Sequence, residues 1–80
     1  MLTLYIRPGC PYCAKVLKAG EDLGIPFDLK SITNPEVAKE LVARGGKQQV
    51  PYLVDEEKGV EMYESDAIIE HLHASFTAEA

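Results

Sequence analysis

Leu2, Leu4 and Ile6 alternate with Thr3 and Tyr5, the period-two pattern of a half-buried strand. Arg7-Pro8-Gly9 breaks it, and Pro11 suits the first position of a helix, where its missing N–H costs nothing. Cys13, Val16, Leu17 and Gly20 recur at steps of three and four, and Leu23 extends the stripe. This predicts a helix with one buried face, closed by Gly24. After Ile25-Pro26, Phe27-Asp28-Leu29-Lys30-Ser31-Ile32 alternates again and predicts a second strand. Asn34 then Pro35 form a helix start, with Glu36 near the positive end of the dipole. Val37, Ala38 and Leu41 supply that helix's buried face, and Arg44-Gly45-Gly46 is a stop. Tyr52-Leu53-Val54 and Val60-Glu61-Met62-Tyr63 predict two short strands joined by a polar hairpin loop over 55–59. Ser65 is expected to cap a last helix, on which Ile68, Ile69, Leu72 and Phe76 share a face. The tail after Ala74 is expected to fray. The order is β-α-β-α-β-β-α, beginning with a βαβ unit whose crossover is expected to be right-handed.

Eighty residues make one domain, spanning 1–80, and a chain this short buries only about 60–65% of its unfolded surface. No repeat, linker or low-complexity segment interrupts it. The net charge of −5 and the absence of a Lys/Arg cluster argue against nucleic acid, whose phosphates need clustered positive charge. No apolar run approaches a membrane span, and the N-terminus lacks the basic and long apolar regions of a signal peptide. A cytoplasmic setting is therefore expected. Thiols stay reduced there, so two cysteines point to catalysis or metal binding rather than a structural staple.

The strand–turn–helix context puts Cys10 just before, and Cys13 inside, the first turn of the first helix. Residues three apart on a helix are surface neighbours, so their Cα atoms are expected about 5–6 Å apart, within reach of a disulfide. Free N–H groups and the helix dipole point toward Cys10 and favour its thiolate. Arg7 can add a positive charge. Cys13, further from the helix end, is expected to stay protonated longer, so Cys10 is the predicted nucleophile and Cys13 the resolving thiol. Structural zinc wants four N or S ligands. His71 and His73, two apart on a helix, point in different directions, so no metal site is predicted. Unreactive packing fits poorly too, because Cys10 falls in a turn, off the apolar stripe. C-x-x-C within a βαβ pattern reads as a redox motif.

Cys10-Pro11-Tyr12-Cys13 is identical to the dithiol motif of the glutaredoxins, which the sequence resembles in element order over nearly its whole length. That resemblance implies an α/β, thioredoxin-like fold with a four-stranded mixed sheet flanked by three helices. It also implies a glutathione-dependent thiol-disulfide oxidoreductase that reduces protein–glutathione mixed disulfides and protein disulfides. The Pro-Tyr pair between the cysteines, where a thioredoxin carries Gly-Pro, favours glutathione. No nucleotide-binding Gly motif is present, so no bound cofactor is expected and glutathione serves as cosubstrate. The expected partners are glutathione and glutathionylated or disulfide-containing proteins.

The same resemblance implies a glutathione cradle. Val50-Pro51 matches the family's cis Val-Pro pair, whose first residue pairs its backbone with the glutathione peptide; an ordinary strand-entry proline is the plainer alternative. Arg7 stands where glutaredoxins commonly have a basic residue. Gln48 occupies the loop place where a basic residue often meets the glycine carboxylate, with Lys47 one residue off and equally readable as a surface charge. Tyr12 is expected beside the disulfide. The Gly-Gly that precedes the last helix in common glutaredoxins is missing. Instead, Glu64-Ser65-Asp66-Ala67-Ile68 is similar to the glutathione-transferase N-terminal domain and to two-domain glutaredoxins. There the segment holds the γ-glutamyl end, which puts Ser65 and its N–H on a carboxylate and Asp66 on an ammonium. Ser65 also reads as an N-cap. His71 and His73 read as surface residues, Tyr5 as sheet packing and Asp55-Glu56-Glu57 as a solvated hairpin tip. Two rival functions remain: a transferase-like N-terminal or glutathione-binding module, and an iron–sulfur carrier shared by two subunits, against which Pro11 stiffens the loop.

Overall fold

The computed structural model describes residues 2–76, and the side chains of residues 2–74. The elements are β1 (Leu2–Ile6), α1 (Pro11–Leu23), β2 (Phe27–Ser31), α2 (Pro35–Gly45), β3 (Tyr52–Asp55), β4 (Val60–Met62) and α3 (Ser65–Phe76). Their order is the one the hydrophobic pattern predicts. The strands form one sheet in the order β2-β1-β3-β4. β1 runs parallel to β2 and antiparallel to β3, which pairs antiparallel with β4. This is the mixed four-stranded sheet with three helices of a thioredoxin-like fold.

Strand alternation splits the core between the two sheet faces. Leu2, Leu4 and Leu53 turn to one face and pack with Val16 of α1 and Ile68 and Leu72 of α3. Tyr5, Tyr52 and Val54 turn to the other and pack with Leu41 of α2. Burying each such aliphatic side chain is worth about 1.5–3 kcal/mol, so the helices are held by their faces more than by intrinsic propensity. Ile69 is only partly buried, and the side chain of Phe76 lies outside the described ones. α3 runs on to Phe76 rather than fraying after Ala74; residues 77–80 lie outside the described ones.

The helix ends follow their residues. Asn34 caps α2 by accepting the Glu36 N–H at 2.9 Å, and Gly46 ends that helix with φ 87. Gly24 ends α1 with φ 71, a left-handed conformation that glycine enters without a Cβ penalty.

The hairpin differs from expectation. Asp55 is the last residue of β3, in register with Leu2 and Val60, so the loop is one residue shorter than 55–59. Glu56 and Glu57 are solvated as expected, but Asp55 is buried, and its carboxylate bonds His71 Nε2 at 3.0 Å. His71 is accordingly half-buried against the sheet, whereas His73 is exposed. The reading of Asp55 as a hairpin tip and of His71 as a surface residue is corrected. Asp55 follows Leu53 by two on the strand, so the pleat turns both inward. Among the described residues, no helix is long and apolar enough to cross a membrane.

Candidate functional site

Arg7-Pro8-Gly9 forms the turn between β1 and α1. Gly9 takes φ 85, and the Cys10 N–H donates to the Arg7 carbonyl at 3.1 Å. Cys10 thereby becomes the N-cap of α1, with Pro11 the first helical residue. Its sulfur does the work that a Ser or Asp oxygen usually does at this position, accepting the Cys13 N–H at 3.5 Å. A negative sulfur accepts that bond better than a neutral thiol, so the helix start favours the thiolate.

Burial pushes the Cys10 thiol up. The Cys13 amide and thiol, the Tyr12 amide and the Arg7 charge together outweigh it, so the group lies below its ordinary value. Cys13 is buried one turn further in. Burial, and the Cys10 sulfur beside it, push its thiol up to about 11 against a weaker opposing bond. Both cysteines are free, and their asymmetry is the one the helix position predicts. Among the described residues, no group of three or more His, Cys, Asp or Glu side chains could hold a metal ion.

Two adjoining cavities flank this helix mouth. The larger, about 590 Å³, is lined by Arg7, Cys10, Tyr12, Ile32, Gln48 and Val50. The smaller, about 250 Å³, is lined by Tyr12, Gln49, Val50, Pro51, Glu64, Ser65 and Asp66. Together they reach the size of small-molecule sites, about 300–1,000 Å³. Tyr12 and Val50 line both. Tyr12 is 59% exposed and stands beside Cys10 on the wall that the two hollows share. The Val50–Pro51 peptide is cis.

Eight of the nine residues singled out in the sequence therefore line one continuous region, and the ninth, Cys13, lies directly beneath Cys10. Lys47 lines neither cavity; its ammonium lies 5.3 Å from the Tyr63 ring centre. Gln49 and Ile32 were not singled out in the sequence, and Glu64 only as part of the segment 64–68. Gln48 and Gln49 lie in irregular structure before β3, where no periodic signal separates one glutamine from the next.

At the second helix mouth, Glu64 rather than Ser65 is the cap. Its φ is 75 and its carbonyl accepts the Ile68 N–H at 3.0 Å, so Ser65 is the first residue inside α3. The N-cap reading of Ser65 is corrected. The first N–H groups of α3 have no intrahelical partners, and Glu64, Ser65 and Asp66, which carry three of them, line the smaller cavity. Asp66 pairs with Lys15 of α1 at 3.2 Å, but both side chains are largely exposed, and such a pair holds its acid weakly.

The chain matches the family described as Glutathione S-transferase, N-terminal domain, over residues 4–80. No curated protein matches it. Among solved structures it is similar to a glutathione S-transferase from the Antarctic clam Laternula elliptica (28% identity, TM-score 0.82, covering 96% of this chain and 36% of that one). It is similar to a delta-class glutathione transferase from Nilaparvata lugens (28%, 0.80, covering 95% and 36%). It is also similar to glutathione S-transferase 1-6 from Anopheles dirus species B (25%, 0.81, covering 96% and 37%). The chain thus spans little more than a third of the length of these proteins. The family match falls on the side of the resemblance that Glu64-Ser65-Asp66 carries, whereas the glutaredoxin side rests on Cys10-Pro11-Tyr12-Cys13. By the match over nearly its whole length, the chain belongs to the glutathione S-transferase N-terminal domain family.

Proposed function

We propose that this domain binds glutathione across the two adjoining cavities and exchanges thiol for disulfide there through Cys10. Family membership and the corner at Glu64-Ser65 support the binding half of this reading. The observation that carries the chemical half is the place of Cys10: it caps α1, its sulfur accepts the Cys13 N–H, which favours the thiolate, and it lines the larger cavity.

The γ-glutamyl group lies at the start of α3. Its carboxylate meets Ser65 and the free N–H groups, and its ammonium meets Asp66, displacing Lys15. The peptide runs along Val50-Pro51, past Tyr12, and the glycine carboxylate approaches Arg7 and Gln48. The Cys10 thiolate attacks the glutathionyl sulfur of a glutathionylated protein. The old sulfur–sulfur bond breaks, the protein thiolate leaves and takes a proton, and Cys10 carries the glutathionyl group. A second glutathione thiolate then attacks that group, releasing glutathione disulfide and restoring Cys10. Alternatively Cys13 loses its proton and attacks Cys10, releasing glutathione and forming the Cys10–Cys13 disulfide, which glutathione reduces in turn. The reducing cytoplasm is the setting that supplies glutathione for this cycle.

A second reading, favoured by the family match and by Ser65, is a transferase-like glutathione-binding module whose thiols take no part. Calorimetry with reduced glutathione, together with reduction of a glutathionylated peptide, separates the two. Binding with turnover supports the oxidoreductase, and binding without turnover supports the module. Absence of binding sinks both.

A further inference from the structure

Tyr63 touches no reacting atom, yet its position ties together the two segments that wall the smaller cavity. Its hydroxyl donates to the Lys47 carbonyl at 2.7 Å and accepts the Lys47 N–H at 3.2 Å. Both backbone groups of one residue are thus held by one oxygen, immediately before Gln48, Gln49, Val50 and Pro51. On its own strand side, Tyr63 leads directly into Glu64, with φ 75, and Ser65. Its ring is braced by Tyr52, centre to centre 4.4 Å. The approach is close enough that a Cβ at Gly45 would stand 2.2 Å from the hydroxyl. Gly45 has no left-handed φ of its own to require glycine, so what excludes a side chain there is this tyrosine.

We propose that Tyr63 is a positioning residue that sets the spacing between the 48–51 segment and the 64–66 corner, and so the affinity for glutathione. The inference rests on the glutathione-binding reading above. A loop held at both polar groups of Lys47 presents Gln49 and Val50 at a fixed distance from Ser65 before any ligand arrives, and less ordering is left for binding to supply. Both hydrogen bonds lie at the surface, where water replaces a lost hydroxyl. Removing it therefore loosens the loop without unfolding the domain.

The test is Tyr63→Phe in the full chain, which keeps the ring against Tyr52 and deletes both bonds. The dissociation constant and KM for glutathione are expected to rise about fivefold, the change one net hydrogen bond represents. The kcat at saturating glutathione, the rate at which iodoacetamide alkylates Cys10 and the melting temperature should stay as in wild type. Gly45→Ala, which crowds the hydroxyl away from Lys47 while retaining the tyrosine, should raise the same KM. An unchanged dissociation constant in Tyr63→Phe, with wild type binding normally, overturns the role of Tyr63 and leaves the glutathione reading standing. A fall in kcat and melting temperature without a change in KM overturns it as well, since Tyr63 would then only support the fold. Absence of glutathione binding by wild type removes the glutathione reading and this role together.

Discussion

Cys10 and Cys13 share a sequence motif but not an environment, and the difference follows from one residue. Pro11 starts α1, which leaves Cys10 as the cap, reached by unpaired N–H groups, and carries Cys13 into the buried face. The first prediction is that Cys10 titrates below a free thiol's value of about 8.5, read from thiolate absorbance against pH. Arg7→Glu should move that midpoint up, because its charge is among the causes of the lowering; an unmoved midpoint removes Arg7 from the mechanism. The second is that Cys10→Ser abolishes turnover on a glutathionylated peptide while Cys13→Ser retains it and loses direct reduction of protein disulfides. Equal loss in both variants would sink the assignment. This asymmetry was legible in the sequence because it depends on neighbours within four residues. The partner of Asp66 was not, because Lys15 lies 51 residues away along the chain and no local pattern joins them.

Elements were legible where spacing and punctuation agree. The three- and four-residue steps of α1, its start at Pro11 and its stop at Gly24 all come from side chains acting on their own backbone. Caps defined by backbone angle were less so. Glu64 takes a left-handed φ that non-glycine residues adopt only at a cost, and nothing in Glu64-Ser65 alone says which residue turns. The consequence is testable: Ser65→Ala should spare the melting temperature, because no cap is lost, and still weaken glutathione binding. A fall in stability of about 0.5–2 kcal/mol, the size of a lost cap, would reinstate Ser65 as the cap. Packing between elements carries a further prediction at Gly20, where a Cβ would meet the Phe27 ring at 2.3 Å. Alanine in mid-helix is ordinarily better than glycine by about 1 kcal/mol. Overpacking costs about 1–3 kcal/mol, so Gly20→Ala should lower the denaturation midpoint. A raised midpoint would mean that α1 and β2 part easily.

The molecule as a whole is joined across its ends by a pair of groups that neither element needs for itself. Asp55 closes β3, accepts the Lys58 N–H at 3.3 Å and reaches His71 on α3. Strand, hairpin and last helix thus meet at one carboxylate that is 2% exposed. Its burial was hidden by its neighbours, since Glu56 and Glu57 do face solvent and the run reads as one charged tip. Burial pushes the Asp55 carboxyl up, but the His71 and Lys58 contacts outweigh it, and the group lies below its ordinary value. Below that value the folded state binds fewer protons than the unfolded chain, whose aspartates titrate near about 3.9. Stability therefore rises with pH through this interval. The contribution is fully present above the unfolded value and is lost as pH falls toward the folded one. Surface pairs such as Lys30–Glu40 act in the same direction but are screened by water and salt. Denaturant unfolding of wild type and Asp55→Asn between pH 3 and pH 7 should thus show two differences. The variant is less stable at neutral pH, and its stability declines less as the solution is made acid. Parallel curves for the two proteins would mean that the Asp55–His71 contact contributes nothing to holding α3 on the sheet.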